Sequence, residues 1–186
     1  MDEEFTLHDL RRFEAERKLR AMPAHIFETA WVREAQIEAV VDAVIAVSCV
    51  GDAAAYAHAR HVGEWCARIA GSLACGPDRQ LARRVGVLAG ADPAALERID
   101  ELVRYAPFVR DYQSWVMLET KNPRTTSLIV SVADEFDTRV ARSGKGNEAS
   151  PSAALRSMAA QADEAQRPIV EALSIAVGLH ACMRVA

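Results

Sequence analysis

Period-two alternation of apolar and polar residues, the mark of a half-buried strand, is hard to find in this chain. That absence removes the candidates for a sheet and leaves an all-α fold as the expectation. No apolar run approaches the ~18 residues that a bilayer span requires, so no membrane contact is expected. The opening segment, MDEEFTLHDLRRFEAERK, carries charges of both signs and lacks the apolar stretch of a secretory signal. A cytoplasmic location is the corresponding expectation. A basic stripe is missing too: 22 Lys and Arg stand against 26 Asp and Glu, a net charge of -4, which argues against nucleic acid as a partner. The four cysteines, Cys49, Cys66, Cys75 and Cys182, form no C-x-x-C pair, so neither a zinc framework nor a disulfide set is expected, and buried free thiols are. No P-loop, dinucleotide fingerprint or Ser-His-Asp order occurs, nor any internal repeat or low-complexity tract.

What the chain does have is a globular balance. Of its 186 residues, 51% are hydrophobic and 26% charged, which fits one domain with an added arm. The reading is an N-terminal helical arm over 1–35 and a helical domain over 36–186. Residues 7–21 suit a charged amphipathic helix, with Leu7, Leu10 and Phe13 as contacts. Over 26–49, Ile37, Val40, Val41, Val44, Ile45 and Ser48 follow the three-and-four spacing of a buried helical face. Gly51-Asp52 marks a turn, with Asp52 as the cap of a helix that runs from Ala53 to about Ala74. Gly76-Pro77-Asp78 opens the next helix, which ends near Gly90, and Asp92-Pro93 starts another over 94–105. Pro107 interrupts, helix resumes over 108–119, and Asn122-Pro123 turns into a helix over 125–142. Residues 143–152 read as a loop, followed by a final helical stretch that Pro168 splits or kinks.

Few residues are candidates for chemistry. His58 and His61 stand three apart, so both face one side of a helix, and the same holds for Asp134 and Asp137. The plain alternatives are two ordinary helix histidines, and a cap or an ion pair with Arg60 or a neighbouring arginine. Glu64 is a further donor able to complete a metal pair. Arg83-Arg84 suits a phosphate or a solvated face, Asp92 a helix cap, and His180-Ala181-Cys182 terminal packing. The apolar helix at 26–49 exceeds what one bundle requires, and a two-fold homodimer is the simplest way to hide the surplus.

The stretch His58-Ala59-Arg60-His61-Val62-Gly63, six residues after Asp52, resembles the opening of an HD domain, the HD-GYP branch in particular. His58 falls where that family places its first metal-ligating histidine. Further on, Val132-Ala133-Asp134-Glu135-Phe136-Asp137 resembles the family's late helix, with Asp134 at its metal-binding aspartate. The likeness runs over roughly 40–180. It departs from the family at Val85–Ala91, where the His-Asp pair is replaced, and the middle histidines and the Gly-Tyr-Pro loop are absent. The resemblance implies an HD-domain-like helical bundle with His58 and Asp134 as vestigial ligand positions and His61 and Asp137 as accessory ones. Hydrolysis in that family needs two or more metal ions to clamp a phosphodiester and activate water, and two ligands do not build such a centre. The implied function is a non-catalytic module of bacterial-type signalling or protein interaction, with no metal and no cofactor. The alternatives are a metal-dependent phosphohydrolase or cyclic-dinucleotide-binding protein with a rebuilt site, and an unrelated helical bundle.

Overall fold

Aspartate, serine and proline set where the helices begin. A computed structural model describes residues 24–143 and 150–178, and among these every regular element is an α-helix: α1 Ala24–Ser48, α2 Ala53–Ser72, α3 Arg79–Val87, α4 Pro93–Leu96, α5 Ala106–Val116, α6 Thr125–Ser143, α7 Pro151–Gln161 and α8 Arg167–Ala176. The expected helix at 7–21, most of the loop at 143–152 and the segment His180–Cys182 lie outside the described residues. Asp52, Asp78, Asp92 and Ser150 each accept a hydrogen bond from a first-turn amide of α2, α3, α4 and α7, satisfying donors that the helix itself cannot. Gly51 takes a φ of +80° at the α1–α2 turn, a left-handed conformation that glycine adopts without steric cost.

Three details differ from the sequence reading. Residues 97–105 are turns, not the second half of a helix. The amides of Ile99, Leu102 and Tyr105 bond to the carbonyls three residues earlier, so Leu96, Ile99, Leu102 and Tyr105 repeat with the tighter period of i,i+3 turns. Pro107 lies in the first turn of α5 and Pro168 in the first turn of α8. There the missing amide proton costs nothing, so both prolines start helices instead of breaking them; the break falls between α7 and α8.

The chain divides into two compact units, residues 1–39 and 40–186. Of the first, only the helical residues from 24 onward are described. In the second, α2 packs on α3, α6 and α8, while α6 also meets α3, α5, α7 and α8. Cys66, Ile69, Val85, Leu88, Val109, Ile129, Phe136, Leu155 and Leu173 fill its core. Trp65 of α2 meets Phe136 of α6 edge-on, with ring centroids 5.1 Å apart. The α2–α3 crossing depends on two glycines. A Cβ on Gly63 would stand 2.3 Å from a methyl of Val87 and 2.9 Å from the carbonyl oxygen of Arg83, and one on Gly86 would stand 2.7 Å from Cys66 Sγ. The backbones therefore meet where only hydrogen fits.

Of the cysteines, Cys66 is buried as expected, Cys49 is half-buried, and Cys75 is exposed, because it follows the end of α2 in the turn toward α3. Of the stripe read on α1, Ile37, Val41 and Ile45 are buried. No described helix is long and apolar enough to cross a membrane.

Candidate functional site: a histidine held between two aspartates

One turn into α2, the helical period aims His58 at α6. On α6, Asp134 and Asp137 are three apart and present their carboxylates on one side. The result is a three-residue centre. Ring Nε2 of His58 lies 2.8 Å from Oδ1 of Asp134, and Nδ1 lies 2.7 Å from Oδ2 of Asp137. Residues separated by 76 and 79 positions thus share one imidazole. His61, one turn on, puts Nδ1 3.5 Å from the other oxygen of Asp137 and is largely exposed.

The electrostatics follow from this geometry. A carboxylate on each ring nitrogen rewards two N–H donors, which only the imidazolium supplies. Burial, the largest single influence on His58, acts to lower its pKa. Hydrogen bonds to Asp137 and Asp134 and the charges of both carboxylates outweigh it, and the pKa rises above 6.5. Asp137 is buried and Asp134 is about half exposed.

Tyr112 of α5 completes the surroundings by donating its hydroxyl to Oδ2 of Asp134 at 3.2 Å. Burial first, then the Asp134 charge and this bond, push its pKa up, so it stays a phenol and a donor. Burial followed by the Asp134 charge likewise pushes the Cys66 thiol up, leaving it unreactive as a nucleophile. Next to the centre opens a cavity of about 310 Å³. His58, Asp134 and Tyr112 supply its ionisable and hydroxyl groups, and alanines, glycines, Val62, Val87 and Cys49 supply most of the remaining wall. Gln113 holds the loop after α3 in place, donating from Nε2 to the carbonyls of Ala89 and Ala91 at 3.0 and 2.9 Å.

The structure thus brings together all four candidates, His58, His61, Asp134 and Asp137, although His61 only at the edge. Arg60 does not pair with the α6 aspartates as one alternative held; it forms an ion pair with Asp42. Glu64 accepts from Arg83 at 2.8 Å. Arg84 is buried, donating to the Tyr105 hydroxyl at 2.8 Å, so Arg83-Arg84 is not a solvated pair. Asp92 is a helix cap. Tyr112 is the member that sequence reasoning missed, and its 22-residue separation from Asp134 carries no periodic signal.

For a metal, the donor set is a poor fit. A histidine ligates through a ring lone pair, and both nitrogens of His58 are committed to carboxylates. No group of three or more His, Cys, Asp or Glu side chains disposed to hold a metal ion occurs among the described residues. Comparison of the chain with models of known protein families, with curated proteins and with solved structures gives no match.

Proposed function

We propose that this chain is a non-catalytic signalling or protein-interaction module, built on an HD-GYP-like helical frame whose hydrolytic centre has been replaced by a proton-bound Asp-His-Asp link. The observation that carries the reading is the double engagement of His58, with a carboxylate on each ring nitrogen. In the family that the sequence resembles, the positions of His58 and Asp134 serve metal ions. Here the same two residues are joined directly, and the proton on the ring supplies the positive charge that a metal would otherwise bring. The link ties α2 to α6, so it serves the frame and not turnover. A cytoplasmic setting and a two-fold homodimer belong to the proposal. Trp31 and Val32 on α1, 73% and 58% exposed, are apolar side chains that self-association would cover.

The rival reading, a rebuilt phosphohydrolase or cyclic-dinucleotide receptor, has less support. Among the described residues no lysine or arginine lines the cavity, and its acidic group faces any anion that enters.

The test is metal analysis of protein purified without chelators, joined to a hydrolysis assay with cyclic di-GMP in the presence of iron or manganese. The expected result is metal far below one per chain and no turnover. Near-unit metal with turnover abolished by His58→Ala would overturn the proposal.

A further inference from the structure

The cavity beside His58 has a polarity that selects its occupant. Its volume, about 310 Å³, sits at the low end of the roughly 300–1,000 Å³ range of small-molecule sites. Val62, Val87, Ala55 and Ala59 make much of the wall apolar. The polar end is Asp134, whose side chain is 41% exposed and whose oxygens accept from His58 and Tyr112. Counting His58 as imidazolium against the carboxylates of Asp134 and Asp137, the linked groups keep one net negative charge. Of the described lining side chains, His58 and Tyr112 already direct their N–H and O–H groups at carboxylates, which leaves an anion poorly served. A cation finds a carboxylate with lone pairs to spare in a setting of low polarity, where opposite charge counts for more than it does in water.

We propose that this cavity binds a small organic cation, a primary ammonium seated on Asp134 with a compact apolar body against Val62 and Val87. The ammonium donates to the free lone pairs of the Asp134 carboxylate and neutralises the residual charge of the centre. The body displaces water from the alanine and valine wall. The site then works as a receptor pocket beside the α2–α6 tie. This assignment rests on the reading of the centre as non-hydrolytic.

Gly90 supplies a clean way to test it. It lines the cavity, and a Cβ built on it meets nothing within 4 Å, so a side chain can be started there without a clash at its first carbon. The experiment is isothermal titration of the full-length protein with benzylammonium, benzyl alcohol and benzoate, three probes sharing one body and differing in charge. Each titration is repeated on Asp134→Asn and Gly90→Leu, after circular dichroism has shown both variants folded. Chelator is present throughout, so a metal-dependent activity found separately would strike the non-hydrolytic reading and leave the binding result to be judged by itself. The expected result is saturable binding of benzylammonium, at least about tenfold weaker binding of the alcohol, no binding of benzoate, and at least about a tenfold loss in each variant. Absence of benzylammonium binding, equal binding of the alcohol or benzoate, or affinity retained in either variant overturns the assignment.

Discussion

Oδ2 of Asp137, a residue only 8% exposed, lies 2.7 Å from Nδ1 of His58 on the neighbouring helix. The pair makes folding depend on pH in a definite direction. His58 has a folded-state pKa above its ordinary 6.5, so the folded protein holds the proton more tightly than the unfolded chain does. Its contribution to stability is fully present below about pH 6.5 and is lost as pH rises through the raised folded value. Urea midpoints measured across this window should fall with rising pH, and His58→Gln should flatten that part of the profile. A wild-type midpoint that rises with pH there, or a variant with an unchanged slope, would contradict the link.

The two aspartates should differ in cost. Asp137 is buried and Asp134 has access to water. A hydrogen bond to a charged partner contributes about 1.5–3 kcal/mol, and exposure to solvent reduces this. Asp137→Ala should lower the unfolding free energy by about 2 kcal/mol, and Asp134→Ala by less. Chemical denaturation of both variants at pH 6 gives the order directly.

Gly63→Ala sets two effects against each other. Alanine improves helix propensity by about 1 kcal/mol. The new methyl, however, meets the Arg83 carbonyl at 2.9 Å and Val87 at 2.3 Å, and overpacking of this kind costs about 1–3 kcal/mol. Backbone is the less yielding neighbour, so net destabilisation is expected. A melting temperature equal to or above wild type would show that α2 and α3 can separate at little cost.

Tyr105 is 1% exposed and accepts from both Arg84 and Arg104 through its hydroxyl. Tyr105→Phe keeps the ring and leaves the buried Arg84 guanidinium short of one acceptor. The expected loss is about 1–3 kcal/mol, read from urea denaturation.

Light scattering over a concentration series tests the proposed dimer. Mass at tens of micromolar should be that of two chains, and Trp31→Glu should return it to one. A monodisperse wild-type monomer sinks the idea.

Local signals were the most legible. Asp52 and Asp92 before alanine-rich stretches read as caps because a short side chain followed by free amides is a purely local arrangement, and both are caps. The meeting of His58 with Asp134 was legible only through resemblance to a motif, since nothing in either segment names the other. The role of Asp137 as an equal partner in the centre was hidden, because an i,i+3 pair of acids reads equally well as a cap or an ion pair with an arginine. Arg83 and Arg84 look alike in sequence, but adjacent helical positions point about 100° apart, so one reaches Glu64 and the other goes inside. Residues 97–105 misled because apolar residues three apart satisfy a helical template and a run of turns alike.

The crossing at Gly63 and Gly86 sets the distance between two walls. Val62 and Val87 of the cavity adjoin these glycines, and His58 lies on the same helix as Gly63. A methyl at either glycine would press α2 and α3 apart, on the same helix that carries His58 to the two carboxylates of α6, although neither glycine carries a functional group. The spacing of a charged centre thus shares a helix with the thickness of a backbone contact. A change at these glycines would act on the chemistry at a distance, through spacing alone.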